Sequence, residues 1–384
     1  MMARQGSLSS DHGVVILSSI EWGFLWQRHQ IFASYLTKLA SQVVFVESLP
    51  KRLPSATELS RVLRRLKGVT HFYSPYTSVR PPNLEIISPK ALPPLSPMLD
   101  RINKAIFLPR LARAILDLSG PKPIVITYLP TRTALDLLDL LNPCLVVYDC
   151  VTYWKADPRA PASAGELEPT LLERADTVIA DSDFLVSHVG KRRPDVVQIP
   201  PGVDFEHFNS LSRRVVKKVE IACYFGGVGP RINVNLLARV ARHFRLLIVG
   251  PIRVRMPPLP ETARVTGPVP HQQLPGYIRE ADVLLLPYLV NEFTQGVMPA
   301  KLFECFATGL PIVGTAIPSL LQYKDLINVA SSEEEFLHYL ANIEGYEDEE
   351  KQAKRIEIAR QQRWQTRADC LAEHIERTLA EKLQ

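Results

Sequence analysis

Met298-Pro-Ala-Lys-Leu-Phe-Glu-Cys-Phe-Ala-Thr-Gly-Leu-Pro-Ile-Val313 reads as a short helix entered through a proline, closed by a glycine and followed by a buried strand. Pro299 is tolerated in a first helical turn, where its missing N–H would have been an orphan, so the helix is expected to begin at about Pro299, just after Met298. Lys301 and Glu304 are three apart and then share one helical face. Lys301 can meet a phosphate there, and Glu304, an acceptor when ionised, can take hydrogen bonds from ribose hydroxyls. The free N–H groups and dipole of the helix start add to an anion site. Gly309 is placed to close the helix in the left-handed conformation, and Leu310 to Val313 reads as the next strand.

Outward from this stretch, strands and helices alternate, the pattern of a parallel sheet covered on both faces. In the first half, strands are expected at Gly13–Ser18, Gln42–Val46, Ile124–Tyr128, Leu145–Asp149, Thr177–Ala180 and Val196–Ile199. The helices between them are Trp26–Leu39, Ile102–Leu118, Thr131–Leu140 and Ala164–Ala175. Pro50 to Pro97 is rich in prolines and basic residues and reads as an irregular insertion or a short amphipathic helix, Leu59–Leu66. A linker near Asp204–Arg213 leads to strand Ile221–Phe225, helix Val234–Phe244 and strand Arg245–Val249. Between the first two of these lies Phe225-Gly-Gly-Val-Gly-Pro-Arg231, whose Gly226 and Gly227 let a backbone approach a diphosphate; a tight turn is the other reading. Arg231 either reaches phosphate or is a solvated cation at a helix start. A dinucleotide dehydrogenase would want a carboxylate at the end of the next strand, where the chain has Val249-Gly250-Pro251.

These motifs resemble the GT-B glycosyltransferases, specifically the family 4-like, group 1 type found in polysaccharide and teichuronic acid biosynthesis. Pro299-Ala-Lys301-Leu-Phe-Glu304 followed by Ala307-Thr-Gly-Leu-Pro-Ile-Val313 is similar to the signature of their C-terminal domain. Gly267-Pro-Val269-Pro and Leu274-Pro-Gly-Tyr277 resemble the family's glycine turn and following helix, and Ala281-Asp-Val-Leu-Leu-Leu-Pro287 its next strand. Ile199-Pro-Pro-Gly-Val-Asp204 with Phe208 resembles the crossing between domains. The resemblance runs from about Ser18 to the C-terminus and is strongest from Thr177 to Ile317. It implies an α/β fold of two Rossmann-like, doubly wound domains facing a central cleft: 1–208 for an acceptor, 209–358 for a nucleotide-sugar donor, and a terminal helix, 359–384, packing back on the first. The donor residues implied are Lys301, Glu304, Gly226, Gly227, Arg231, Val269, Met298 and Pro299. Many family members carry an acidic residue eight positions before the Glu304 equivalent; this chain has Gly296 there, and Glu292 is the nearby substitute.

In the first half, Val146-Val-Tyr-Asp149 ends a strand and brings Asp149 to the mouth of the sheet, where ligands of open α/β folds bind. Asp149 is the candidate base for an inverting transfer, with Glu21 the competitor; the alternative is that Asp149 orients a turn or an arginine. Ser18-Ser-Ile-Glu-Trp22-Gly and Trp26-Gln-Arg-His29 resemble a run in polysaccharide-assembling relatives, and Trp22 and His29 are the candidate acceptor contacts; a structural histidine is the other reading of His29. Asp181-Ser-Asp183 fits the D-x-D formula for a divalent cation, yet it precedes an "S-x-x-L" helix start and reads better as a cap. No metal or cofactor is expected, so Lys301, the helix start and the glycine loop must stabilise the diphosphate leaving group.

Composition narrows the rest. The chain has 384 residues, 46% of them hydrophobic, which suits two cores rather than one. No apolar run reaches the roughly 18 residues needed to span a bilayer, and the N-terminus does not read as a secretory signal. The five cysteines are scattered without metal spacing, as in a reduced, cytoplasmic protein. Net charge is only +5, but Lys51, Arg52, Arg61, Arg64, Arg65 and Lys67, with Arg110 and Arg113, gather near Leu63, Leu66, Leu108 and Leu111. This is either a solvated face or a surface for anionic lipid on the inner face of the plasma membrane. No nucleic-acid reader motif accompanies it. The reading is therefore transfer of a sugar from a nucleotide sugar to a glycan or lipid-linked hydroxyl acceptor. A non-catalytic scaffold of the same fold, or a sugar-nucleotide epimerase or hydrolase, is the alternative.

Overall fold

The computed structural model describes residues 12–49, 80–93, 96–158, 160–161, 163–210 and 215–384. They form two compact units, one of Met1–Ile199 with Ala368–Gln384 and one of Pro200–Arg367. The change of unit comes at Ile199, before the expected 208, because Val203, Phe205 and Phe208 are buried in the second unit's core. The helix Trp364–Leu383 starts in the second unit and from Ala368 belongs to the first.

Unit 1 is a seven-stranded sheet of β1 (Val14–Leu17), β2 (Val43–Val46), β3 (Leu84–Ile87), β4 (Ile124–Thr127), β5 (Leu145–Cys150), β6 (Thr177–Ala180) and β7 (Val197–Gln198). Their spatial order is β3-β2-β1-β4-β5-β6-β7, and the paired neighbours are parallel. Unit 2 is a six-stranded parallel sheet of β8 (Ile221–Phe225), β9 (Arg245–Val249), β10 (Arg264–Gly267), β11 (Val283–Leu286), β12 (Ile312–Thr315) and β13 (Asn328–Ala330). Its order is β10-β9-β8-β11-β12-β13. The central strands are buried along their length, as helices on both faces require, which is why they read as continuous runs of valine, isoleucine and leucine. In each sheet the order reverses beside the unit's first strand, β1 or β8. The carboxyl ends of the strands there are where an open sheet receives a ligand.

Two elements differ from the sequence reading. β3 lies in the stretch that read as irregular; its Leu84-Glu-Ile-Ile is short, half-exposed and at the sheet's edge, so it lacks the apolar signature of its neighbours. Leu59–Leu66 lies outside the described residues. The expected helix Ile102–Leu118 is instead Pro97–Ile102, a π-helical segment Asn103–Phe107, and Leu108–Ser119. Pro109 has no N–H to give to the preceding turn and its ring displaces that turn's carbonyl, so the winding changes just before it. Asn103 secures the change by bonding both the N–H and the carbonyl of Leu92, each at 2.8 Å. On Leu108–Ser119, Leu108 and Leu111 point into the core while Arg110 and Arg113 are exposed, so these leucines share no surface with the arginines. The remaining members of the expected basic surface lie outside the described residues. Among the described residues no helix is long and apolar enough to cross a membrane.

The terminal helix is fixed to unit 1 by polar contacts. His374 is buried between Thr177 Oγ1, on its Nε2, and Arg377 Nη2, on its Nδ1, and Lys382 Nζ lies 2.7 Å from Asp176. Burial and the neighbouring Arg377 cation hold the imidazole below its ordinary pKa, against the weaker pull of Asp195 and Glu381. Since the unfolded chain takes up this proton first, the contribution is present above about pH 6.5 and is lost as pH falls through the lowered folded-state value. Denaturation midpoints followed from neutral to mildly acidic pH should therefore fall more steeply for the parent than for His374→Gln. Parallel curves would show that this histidine does not titrate on unfolding.

Candidate functional site

The site in unit 2 is assembled where β8 runs into the glycine turn. Gly226 has φ +107°, a backbone conformation that favours glycine, and a Cβ there would stand 2.7 Å from Lys301 Nζ and make the ammonium shift. Gly226 N–H donates to the Val249 carbonyl at 2.8 Å, and Gly250 (φ +144°) packs so closely that an added Cβ would meet the Gly226 oxygen at 2.2 Å. The end of β9 thus serves as the backing of this turn. That explains why a glycine stands where a dinucleotide site would hold a carboxylate.

Lys301 is placed by three features of this turn. Its Nζ donates to Tyr224 Oη at 2.8 Å and stands 4.1 Å from the centroid of the Tyr224 ring. The Tyr224 hydroxyl in turn donates to the Gly227 carbonyl at 2.9 Å. The helix itself is Leu302–Thr308, three residues later than expected. Pro299 and Ala300 form a turn whose Pro299 carbonyl accepts from Leu302 N–H at 2.9 Å, leaving Lys301 as the N-cap. Gly309 ends the helix at φ +74°, in the left-handed conformation. Arg355 and Gln352 both bond the Gly309 carbonyl, and the buried ion pair Arg355–Glu347 (2.7 Å) holds that end in place.

Glu304 is half-buried on the same short helix. Burial pushes its carboxyl up to about 7, Lys301 pulls it down, and Asp204 adds to the rise. A ligand presenting hydroxyl donors would favour the ionised form, so binding by this group is linked to proton release near neutrality. Tyr288, buried beside β11, has its phenol pushed up to about 12 by burial, with Lys301 and Arg231 both pulling the other way. Arg231 lies over the Phe293 ring at 4.7 Å. Val269 and Met298 are half-buried against the unit's core, Pro299 is buried, and Glu292 is exposed at the start of helix Glu292–Gln295, with Gly296 buried behind it. The structure therefore brings together Lys301, Glu304, Gly226 and Gly227, with Arg231 beside Tyr288. Sequence reasoning missed Tyr224 and Tyr288. Each is an aromatic in or just after an apolar strand, and only the fold shows which way its hydroxyl faces.

In unit 1, Asp149 is held inside the sheet. This carboxylate has no exposure, and both its oxygens are held by the Arg28 guanidinium, Oδ2 at 2.7 Å from Nε and Oδ1 at 3.0 Å from Nη2. Burial works against charge on Arg28, but Asp149 more than offsets it and raises the guanidinium's pKa. Arg28 Nη1 also bonds the carbonyl of Ile199, the last residue of the unit's first segment, at 2.7 Å. Both oxygens of Asp149 are thus engaged by Arg28, which is the arginine-orienting alternative of the sequence reading. His29 and Trp22 are buried as well: His29 stacks on Tyr128 at 3.6 Å with Ser18 Oγ on its Nδ1, and Trp22 packs edge-on to Trp26 and Phe45. Glu21 is half-buried in the loop after β1. Ser182 caps the helix Asp183–Gly190 through Leu185 N–H, and Asp183 bonds Gln198, which is the cap reading of Asp181-Ser-Asp183. Among the described residues no group of three or more His, Cys, Asp or Glu could hold a metal ion.

Comparison with known proteins agrees with this architecture. Residues 229–343 match the family model for glycosyl transferases group 1. Over 204 residues the chain is 29% identical to TuaH of Bacillus subtilis, named as a teichuronic acid biosynthesis glycosyltransferase, covering 45% of this chain and 51% of that one. It is 26% identical over 203 residues to a D-inositol 3-phosphate glycosyltransferase of Kineococcus radiotolerans, covering 43% and 46%. The matched region thus spans about half the length of these relatives. Among solved structures, a sucrose-phosphate synthase of Thermosynechococcus elongatus superposes with a TM-score of 0.65 at 15% identity, covering 96% of this chain and 99% of that one. HepE of Anabaena, solved with UDP and glucose, gives 0.64 at 12% identity, covering 95% and 99%.

Proposed function

We propose that this chain, which has the GT-B fold and resembles the group 1 glycosyltransferases across its second unit, moves a sugar from a nucleoside diphosphate sugar to a hydroxyl acceptor. The observation that carries the proposal is the Lys301 ammonium, held on Tyr224 at the point where strand order reverses, with the half-buried Glu304 carboxylate three residues on. One cation and one acceptor at that spacing fit a phosphate joined to a ribose. A neighbouring fold from E. coli was solved with UDP-2-fluoro glucose, which supports a sugar nucleotide as the ligand class. We extend the proposal to a hexosyl donor, to transfer without metal or cofactor, and to a glycan or lipid-linked acceptor. The name of the Bacillus subtilis relative supports the last. With Asp149 sealed, Glu21 is the carboxylate left as candidate base. The exposed Arg110 and Arg113, with exposed Met98, Ile106 and Leu118, support a cytoplasmic protein resting on anionic lipid.

The test is a series of UDP-, GDP- and dTDP-sugars examined by thermal denaturation, then by product analysis with and without EDTA. One donor series should raise Tm progressively with concentration, since a ligand bound only by the native state stabilises it. A glycosidic product should form in chelator. Binding without such a product would favour the scaffold, epimerase or hydrolase alternatives, and absence of binding by all three series would contradict the proposal.

A further inference from the structure

We infer that Tyr224 is a positioning residue for the donor diphosphate, acting through Lys301; this rests on the reading of unit 2 as the donor site. Its hydroxyl proton is committed to the Gly227 carbonyl at 2.9 Å, which turns the oxygen's free lone pair to the Lys301 ammonium at 2.8 Å. A lysine has three donors on a flexible stem and loses much rotamer freedom when it grips a ligand. Here one donor is spent on Tyr224 and the remaining two are left for phosphate oxygens. The ring beneath the ammonium confines Nζ from one further side, and the missing side chain of Gly226 leaves it the room to stand there. The lysine is thereby set in place before the ligand arrives, which lowers the ordering cost of binding. Tyr224 comes from β8, 77 residues before Lys301, so the arrangement belongs to the fold and not to the motif around the lysine.

Tyr224→Phe keeps the ring and removes only the hydroxyl. The probes are UDP, GDP or dTDP, whichever the parent binds, and the corresponding nucleoside, titrated by calorimetry. Loss of one hydrogen bond to a charged group should weaken the diphosphate by about tenfold and the nucleoside by less than about twofold. In a Lys301→Met background the same change should have no further effect, because the group it positions is gone. If Lys301→Met weakens binding while Tyr224→Phe does not, the inference fails and the donor site stands. If Tyr224→Phe weakens diphosphate and nucleoside alike, or acts equally without Lys301, the tyrosine is structural and the inference is overturned. A silent Lys301→Met removes both.

Discussion

Lys301→Ala should lower kcat/KM by about a hundredfold or more and weaken nucleoside diphosphate binding markedly, while leaving the denaturation midpoint of the free protein near that of the parent. The ammonium is the cation that the structure sets at the end of β8, and its removal leaves phosphate charge to backbone N–H groups and to Arg231, which is engaged with Phe293. The fold should survive because Lys301 is half-buried at a helix start, where its side chain makes no capping bond. Glu304→Ala should act differently, raising the donor KM with a smaller change in kcat, since ribose hydroxyls do not gain charge in the transition state. Calorimetry that finds parental affinity in both variants would place the nucleotide elsewhere.

Asp149→Asn should cost about 3 kcal/mol or more of stability, because an amide leaves the buried Arg28 charge without its counter-ion. Turnover per folded molecule should stay close to parental. Urea denaturation measured beside single-turnover rates separates the two effects. The opposite pattern, parental stability with kcat lowered about a hundredfold, would return Asp149 to the role of base. Arg28 should be equally intolerant of loss: Arg28→Met removes a bidentate partner from Asp149 and the bond to Ile199, where the chain leaves unit 1.

The fold was legible because parallel strands buried on both faces write themselves as apolar runs. β6, β8 and β9 carry the same bounds in the sequence reading and in the structure. β3 was not legible, since an edge strand of four residues containing Glu85 lacks that signal. Within the site, the spacing of Lys301 and Glu304 was readable from local geometry. The hydroxyl that holds Lys301 was not, as it arrives from another strand. Asp149 was placed correctly at the end of its strand, yet its partner Arg28 lies 121 residues away in the chain, and no local pattern announced it. Pro109 was the readable sign of the break between the π segment and Leu108–Ser119, and a continuous helical period concealed it.

A crystal structure of the protein with the nucleoside diphosphate that stabilises it tests the donor site most directly. Phosphate oxygens should lie within hydrogen-bond distance of Lys301 Nζ, beside the Gly226–Gly227 backbone, with ribose hydroxyls on Glu304 and the Tyr224–Lys301 bond retained. A nucleotide seated away from Lys301 and Glu304, with the ammonium still facing only Tyr224, would contradict this placement.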